Sequence, residues 1–332
     1  MKMKWMAALV MVMLLFVSAC GNNEKDNQQD ESSQKNNTEK ESPEQSELGP
    51  RFSVDKSGYY KKINEIQVDH VHGLGYAGNN NTVFIASHHG LITVKDGKWY
   101  RPKGNQHDFM GFSATEKGFY SSGHPGEGST LPNPIGLVSS TNGGENLKKL
   151  GFTGQSDFHY LTVGYNSSAI YLVNQHPNDQ LGTGMYYSLN DGGSWEQSEM
   201  KGIPSDAAYL FAHPTDENKI GLTSSDGVYV STNNGDTFER ATKSTVVTAA
   251  HFTEESLLYT TAEGKLFEQS FKDKSNLKDW NSPELGQEEA IMYLAQNPQQ
   301  NEEVTFITSK NNVFQTTDGG KTWVQLMDNG TI

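Results

Sequence analysis

The stretch Ser188-Leu-Asn-Asp-Gly-Gly-Ser-Trp195 is one of four similar stretches in this 332-residue chain. The others are Ser140-Thr-Asn-Gly-Gly-Glu-Asn-Leu147, Ser231-Thr-Asn-Asn-Gly-Asp-Thr-Phe238 and Thr316-Thr-Asp-Gly-Gly-Lys-Thr-Trp323. Their first residues are 48, 43 and 85 positions apart, and 85 is nearly twice 43. A period of about 40–50 residues indicates a protein built from structural repeats.

The composition of the repeat is that of a tight turn. Its third residue, which can bond the backbone two positions on, is Asn142, Asn190, Asn233 or Asp318. Its fifth residue is glycine, which adopts backbone angles that other residues resist. The aromatic residue that closes three of the copies can begin a strand and bury a large ring.

Two weaker copies fill the gaps in the series. Thr93-Val-Lys-Asp-Gly-Lys-Trp99 precedes the first copy by 47 residues, and Ser270-Phe-Lys-Asp-Lys-Ser-Asn-Leu277 falls in the long interval. Short β-rich runs separated by polar turns precede the repeats, which is typical of an all-β domain. Four strands per repeat is the pattern of a propeller blade. We therefore predict a single β-propeller over residues 51–332, with six four-stranded blades, or seven if Tyr59–Val68 contributes one.

The repeat resembles the Asp-box, or BNR repeat, of sialidase-type and sortilin-type propellers. The whole chain is similar to the glycosyl-hydrolase-like Asp-box lipoproteins of Bacillus-type bacteria, through segments such as His70-Val-His-Gly-Leu-Gly75 and Ser121-Ser-Gly-His-Pro125. This resemblance implies the propeller fold, but propellers host many unrelated functions. Some relatives bind peptides or proteins, and others hydrolyse glycosides.

The N-terminus has the features of a bacterial lipoprotein. Lysines precede an apolar run from Met6 to Val17, which suits a signal peptide and is too short to span a bilayer. The following Val17-Ser-Ala-Cys20-Gly21 resembles a lipobox, in which Cys20 is lipidated. We therefore expect a signal peptide over residues 1–19 and attachment of the chain to the outer face of the cell membrane through lipid on Cys20.

Residues 20–50 carry this cysteine and a polar tether. The segment after Cys20 consists almost wholly of Asn, Gln, Ser, Glu, Lys and Asp, a composition that is too polar to fold.

The net charge of the chain is −14, which disfavours nucleic-acid binding. We expect a monomer that meets the membrane through its lipid and takes a small ligand, a glycan or a peptide on the propeller.

Histidines are concentrated where one face of the propeller is predicted. If the repeated turn joins the third and fourth strands of a blade, the starts of the inner strands lie on the opposite face, here called the top face. An acid recurs at these starts, and eight of the ten histidines fall there or in the turns between second and third strands. Histidine with aspartate is a common ligand set for zinc, copper and similar metals.

We predict His70, His72, His107 and His159 as metal ligands on this face. Asp69, His88, His89, His124 and Asp206 are predicted to form the rim of the same basin. For any single histidine, a bond to a neighbouring carbonyl is the simpler interpretation. The basin therefore predicts binding of a transition metal such as zinc or copper, a small ligand or a partner peptide.

Glycoside hydrolysis is the alternative interpretation of the same face. Asp108 and Asp157 are the candidate catalytic pair, because glycosidases work through two carboxylates. Sialidases use three arginines, whereas this chain has only Arg51, Arg101 and Arg240, of which the last two follow repeat aromatics on predicted outer strands. Sialidase activity is therefore not expected.

Overall fold

The computed structural model describes residues 52–104 and 106–332, and in this range its regular elements are all β-strands in six sheets. The first sheet holds β1 (Tyr60–Ile63), β2 (Val71–Tyr76), β3 (Val83–Ser87), β4 (Gly90–Lys95) and β5 (Lys98–Pro102). The second holds β6 (Asp108–Thr115), β7 (Gly118–His124), β8 (Leu137–Ser140) and β9 (Lys148–Gly151), and the third holds β10 (Leu161–Val163), β11 (Ile170–Asn174), β12 (Gly184–Ser188) and β13 (Glu196–Gln197). The fourth holds β14 (Leu210–Ala212), β15 (Ile220–Ser224), β16 (Gly227–Ser231) and β17 (Glu239–Arg240), and the fifth holds β18 (Val247–Phe252), β19 (Ser256–Thr261), β20 (Leu266–Ser270) and β21 (Leu277–Asp279). The sixth holds β22 (Ile291–Asn297), β23 (Gln300–Thr308), β24 (Val313–Thr316) and β25 (Val324–Met327).

The six sheets are the blades of a β-propeller. In each blade four consecutive strands pair antiparallel, and the first of them, from β2 to β22, is the innermost. The six inner strands together line one central cavity. The predicted six-bladed, all-β architecture is therefore confirmed. The predicted signal peptide, Cys20 and the tether lie outside the described residues, and no described helix is long and apolar enough to cross a membrane.

The alternative of a seventh blade with Tyr59–Val68 is not what the described residues form. Residues 60–63 instead form β1, which pairs antiparallel with β5 and becomes a fifth, outermost strand of blade 1. Tyr60 faces the neighbouring blade, where its hydroxyl donates to the Gly143 carbonyl at 2.7 Å. Blade 1 thus departs from the four-stranded pattern because an extra strand covers its outer edge.

The four repeated stretches fold into the same turn between the third and fourth strands of their blades. In blade 3 the Ser188 hydroxyl accepts from the Gly192 amide at 3.0 Å, and the Asn190 side-chain oxygen accepts from the Ser194 amide at 2.8 Å. The other three turns have the same two bonds, made by Ser140 and Asn142, Ser231 and Asn233, and Thr316 and Asp318. Asn142, Asn190, Asn233 and Asp318 therefore have the turn-forming role that their spacing suggests.

The two weak copies also lie between third and fourth strands, but their local structures differ. In blade 1 Asp96 and Gly97 form a two-residue turn with φ of 49° and 66°, the left-handed conformation typical of tight hairpins. In blade 5 the position aligned with the repeat aromatic, Leu277, is 47% exposed. Trp280, three residues further on, is 1% exposed and supplies the buried ring instead.

Hydrophobic clusters between adjacent blades form the core. The boundary of blades 1 and 2, for example, packs Phe84 against Phe109 and Phe119, which are each 1% exposed. Blades 6 and 1 close the ring without exchanging a strand. Their described contacts include the Val68 amide on the Gly330 carbonyl at 2.8 Å and the Tyr76 hydroxyl beside that of Thr305 at 2.7 Å.

Candidate metal centre

Two histidines of blade 1 and one aspartate of blade 2 meet on the top face. His72 lies on inner strand β2, His88 lies in the turn between β3 and β4, and Asp108 is the first residue of inner strand β6. Within residues 52–104 and 106–332, they form the one group of three or more His, Cys, Asp and Glu whose ligand atoms all lie within 4.8 Å of one another. The group therefore bridges two blades.

Local features of β2 bring His72 to this boundary. Val71 pairs with Ser87 and Gly73 with Ala86, so the register shift leaves His72 without a partner on β3. Such bulges re-aim side chains. Glycine at 73 also lets β2 approach β6, because a Cβ there would lie 2.8 Å from the Cβ of Phe112. A Cβ at Gly75 would come still closer, 2.5 Å from that of Ala114.

The three side chains differ in exposure, and the distances between them are short. The side chains of His72 and Asp108 are only 10% and 14% exposed, whereas that of His88 is 54% exposed. His88 Nδ1 lies 2.8 Å from Asp108 Oδ2, and His72 Nε2 lies 3.1 Å from Asp108 Oδ1. Each carboxylate oxygen of Asp108 therefore has an imidazole nitrogen beside it, and the site opens to solvent on the His88 side.

The contact between His72 and Asp108 is close but is not a hydrogen bond. Both His72 Nε2 and Asp108 Oδ1 are buried and lack a hydrogen-bond partner, although 3.1 Å separates them. The distance between these two atoms alone suggests an ion pair. The two side chains are not oriented for a hydrogen bond, so the atoms do not share a proton. Ligands about 2.0–2.1 Å from a tetrahedral metal lie about 3.3 Å apart, so this spacing also suits two atoms on one cation.

The environment of His72 keeps its imidazole neutral. Burial lowers the pKa of His72, the Asp108 carboxylate opposes this shift, and the neighbouring imidazoles of His70, His88 and His159 lower the pKa further. A neutral imidazole is the form that binds metals. His72 is therefore ready to act as a ligand at neutral pH.

A second carboxylate on the top face has a similar environment. The Asp157 side chain is 13% exposed, and its Oδ2 lies 3.1 Å from His124 Nε2 and 3.5 Å from His159 Nδ1. Its other oxygen, Oδ1, is buried without a hydrogen-bond partner. The opposite nitrogen of His124 lies 2.7 Å from the side-chain oxygen of Asn133. The predicted pair Asp108 and Asp157 are thus both largely buried, each beside two histidines.

The other predicted site residues lie around these two groups. The ring of His70 stands beside that of His72, with their centroids 4.7 Å apart, and His89 Nε2 is 3.6 Å from Asp69 Oδ2. His107 is buried, and its Nδ1 accepts from the Gly126 amide at 3.0 Å. Asp206 accepts from the Ser225 amide at 2.7 Å. His88, predicted for the rim, thus lies within the three-residue cluster, and His107 lies outside it.

The large cavity of the channel is not at this cluster. It has a volume of about 690 Å³ and is lined by inner-strand residues such as Leu74, Phe211 and His251. A metal centre needs converging ligand atoms, which His72, His88 and Asp108 supply, and not a large void. Two further histidines, His213 and His251, lie away from the top face. Burial lowers the pKa of each to about 4, so both imidazoles are neutral at neutral pH.

The two described arginines lie outside the three-residue cluster. Arg101 lies on β5 and Arg240 on β17, which are the fourth strands of the regular four in their blades, counted outward from the channel. The Arg240 side chain is paired with Asp226, and that of Arg101 donates to Gln106 at 2.6 Å. Both described arginines therefore lie on outer strands and not on the strands that line the channel.

Comparison with known proteins identifies the fold. No protein-family model matches the chain, and no curated protein matches it. Among solved structures, a GH74 enzyme from Niastella koreensis is 15% identical with a TM-score of 0.51, over 80% of this chain and 46% of that one. The tricorn protease is 12% identical with a TM-score of 0.53, over 80% and 27%.

YCF48 bound to D1 peptide is 14% identical with a TM-score of 0.47, over 83% of this chain and 86% of that one. The match covers 46% of the GH74 enzyme, about half of its length. It covers 27% of the tricorn protease, about a quarter of its length. At such identities the likeness concerns the fold and not the activity. The chain is a six-bladed β-propeller whose top face holds a cluster of two histidines and an aspartate.

Proposed function

We propose that this protein is a lipid-anchored, cell-surface propeller that binds a transition metal through His72, His88 and Asp108. The main observation that supports this proposal is a pair of buried atoms, His72 Nε2 and Asp108 Oδ1. They lie 3.1 Å apart without a hydrogen bond. Buried polar atoms without partners are costly, and a shared cation would give both of them one.

The donor set favours zinc or copper over magnesium and calcium. Two imidazoles and one carboxylate suit zinc and copper, whereas magnesium and calcium prefer oxygen ligands alone. The half-exposed His88 leaves one side of the cluster open to water. Three protein ligands with an open position is the arrangement of metal sites that bind or activate a further ligand.

Metal content is the measurement that tests this proposal. All six blades lie within the described residues, so residues 48–332 can be prepared without the anchor and without a histidine tag. We expect elemental analysis after zinc or copper incubation and desalting to find about one ion per chain. A metal at a hundredfold excess over its Kd should also raise the free energy of unfolding by about 2.7 kcal/mol. Protein that stays metal-free under these conditions would overturn the proposal.

Glycoside hydrolysis is the second candidate, because Asp108 and Asp157 each have one buried carboxylate oxygen without a partner. The Asp157→Asn variant separates the two functions, since Asp157 lies outside the three-residue cluster. If the protein is a glycosidase, this variant should lose turnover of a polysaccharide while still binding it. If the protein is the metal-binding module that we propose, the variant should keep its metal.

The anchor is a separate part of the proposal, supported by the signal-like run and by Cys20 as the single cysteine of the chain. We expect the full chain, expressed in a bacterium with an alkyne-tagged fatty acid, to carry the label and to fractionate with membranes. The Cys20→Ser variant should lose the label, because no other cysteine can accept the lipid. Equal labelling of both proteins would refute lipidation at Cys20.

A further inference from the structure

Positive charge is concentrated in the first blade of an otherwise acidic protein. Residues 52–104 contain seven Lys and Arg against four Asp and Glu, whereas residues 106–332 contain 13 against 28. Charge patterns of this kind concern binding partners more than the fold. Blade 1 therefore differs electrostatically from the rest of the ring.

The excess lies on the outer edge of this blade. We call the side chains of Lys61, Lys62, Lys98, Arg101 and Lys103 on and beside β1 and β5 the basic edge. Its four lysines are exposed. Within the described residues, no member forms an ion pair with a carboxylate, although Lys95 of the same blade pairs with Asp55 at 2.7 Å.

The pairing of β1 with β5 places like charges together. Lys61 lies directly opposite Arg101 in the antiparallel register. Like charges in this arrangement are destabilising. Lysine on an edge strand can serve simply to prevent aggregation, but that role does not require a second cation opposite it. An anion bound from outside would relieve the repulsion.

The position of the N-terminus indicates which anion is close at hand. Phe52 is the first described residue. Its ring packs against that of Tyr60 on β1, with the ring centroids 5.7 Å apart. The chain that leads back to the proposed lipid on Cys20 therefore joins the propeller beside the basic edge. Anionic phospholipid headgroups attract clusters of lysine and arginine close to a membrane surface.

We propose that the basic edge binds the anionic phospholipid headgroups of the membrane to which the chain is anchored. The proposed anchor supplies the proximity, and the basic edge supplies a second contact that does not require the lipid. A polybasic surface is an effective membrane contact in addition to a lipid anchor. The two contacts together would hold the propeller by its rim, with blade 1 towards the membrane.

Vesicle sedimentation of the lipid-free residues 48–332 tests this contact separately from the anchor. We expect the protein to sediment with phosphatidylglycerol-containing vesicles at low ionic strength, and not with pure phosphatidylcholine vesicles. The Lys61→Glu/Lys62→Glu variant should bind the anionic vesicles at least about tenfold more weakly, because each basic residue near such a surface contributes about a fivefold effect. Added salt should weaken the wild-type binding.

The matched control is Lys148→Glu/Lys149→Glu, on the outermost strand β9 of the next blade. It changes the net charge by the same amount, and it should leave vesicle binding within about twofold of the wild type if the basic edge is the contact surface. Wild-type protein that does not bind anionic vesicles, or an equal loss in both variants, would overturn the proposal. Metal content and labelling of Cys20 do not depend on this result, so the proposals fail separately.

Discussion

Replacing His72 with alanine should lower the affinity for zinc or copper by at least about a hundredfold. Even groups that only orient a ligand contribute 10- to 100-fold to metal affinity, and His72 is the buried imidazole of the cluster. His88→Ala should also weaken binding. Because the His88 side chain is 54% exposed, the fold does not depend on it. Competition with a chromogenic chelator measures both affinities.

His176→Ala is the control for these variants, since His176 is an exposed histidine outside the three-residue cluster. Its affinity should equal that of the wild type. Thermal unfolding of each metal-free variant verifies that the fold is kept. The assignment of the site would be wrong if His72→Ala and His176→Ala bound metal equally well.

Replacing Trp280 with alanine should destabilise the protein by about 3–5 kcal/mol, the usual cost of deleting a fully buried aromatic side chain. Trp280 is 1% exposed, and its indole nitrogen donates to Glu268 at 3.2 Å. Its carbonyl accepts from the indole of Trp323 at 3.1 Å, which connects blades 5 and 6. The loss should appear as a lower midpoint of guanidinium unfolding.

Leu277→Ala is the matched control for this change. Leu277 is the first residue of β21, which ends immediately before Trp280, but its side chain is 47% exposed, so its removal should alter stability by less than about 0.5 kcal/mol. If the repeat aligned by sequence had identified the buried position, Leu277 would be the sensitive residue instead. A large effect of Leu277→Ala with a small effect of Trp280→Ala would contradict the packing described above.

The repeats predicted most of the fold because they describe local structure. A turn such as Ser188–Trp195 contains its own hydrogen bonds, so its sequence is enough to identify it. Four such turns, counted together with the two weaker copies, predict six blades. The role of β1 was not predictable in the same way, because an extra outer strand depends on pairing with β5, about 40 residues away in sequence.

The sequence predicts which face of the propeller holds the candidate site, but not which residues form the cluster. The fold alignment indicates which residues lie at the starts of inner strands, and Asp108 and His72 do lie there. The choice of His88 over His107 depends on the bulge in β2 and on close packing between strands, which sequence spacing does not show. The glycines at 73 and 75 are the sequence signals that indicate such close approach.

The closure of the ring has a consequence for how the molecule opens. Each pair of consecutive blades is linked by the polypeptide, but no peptide bond crosses the boundary of blades 6 and 1, where contacts such as Gln67 with Thr331 join the two ends. In an array of units, stability comes largely from nearest-neighbour interfaces, and this interface alone lacks a chain connection. Partial unfolding should therefore begin there, with blade 6 separating as a cooperative unit. The proposed metal ligands lie one boundary further on, between blades 1 and 2, so they can stay assembled in the partly opened ring.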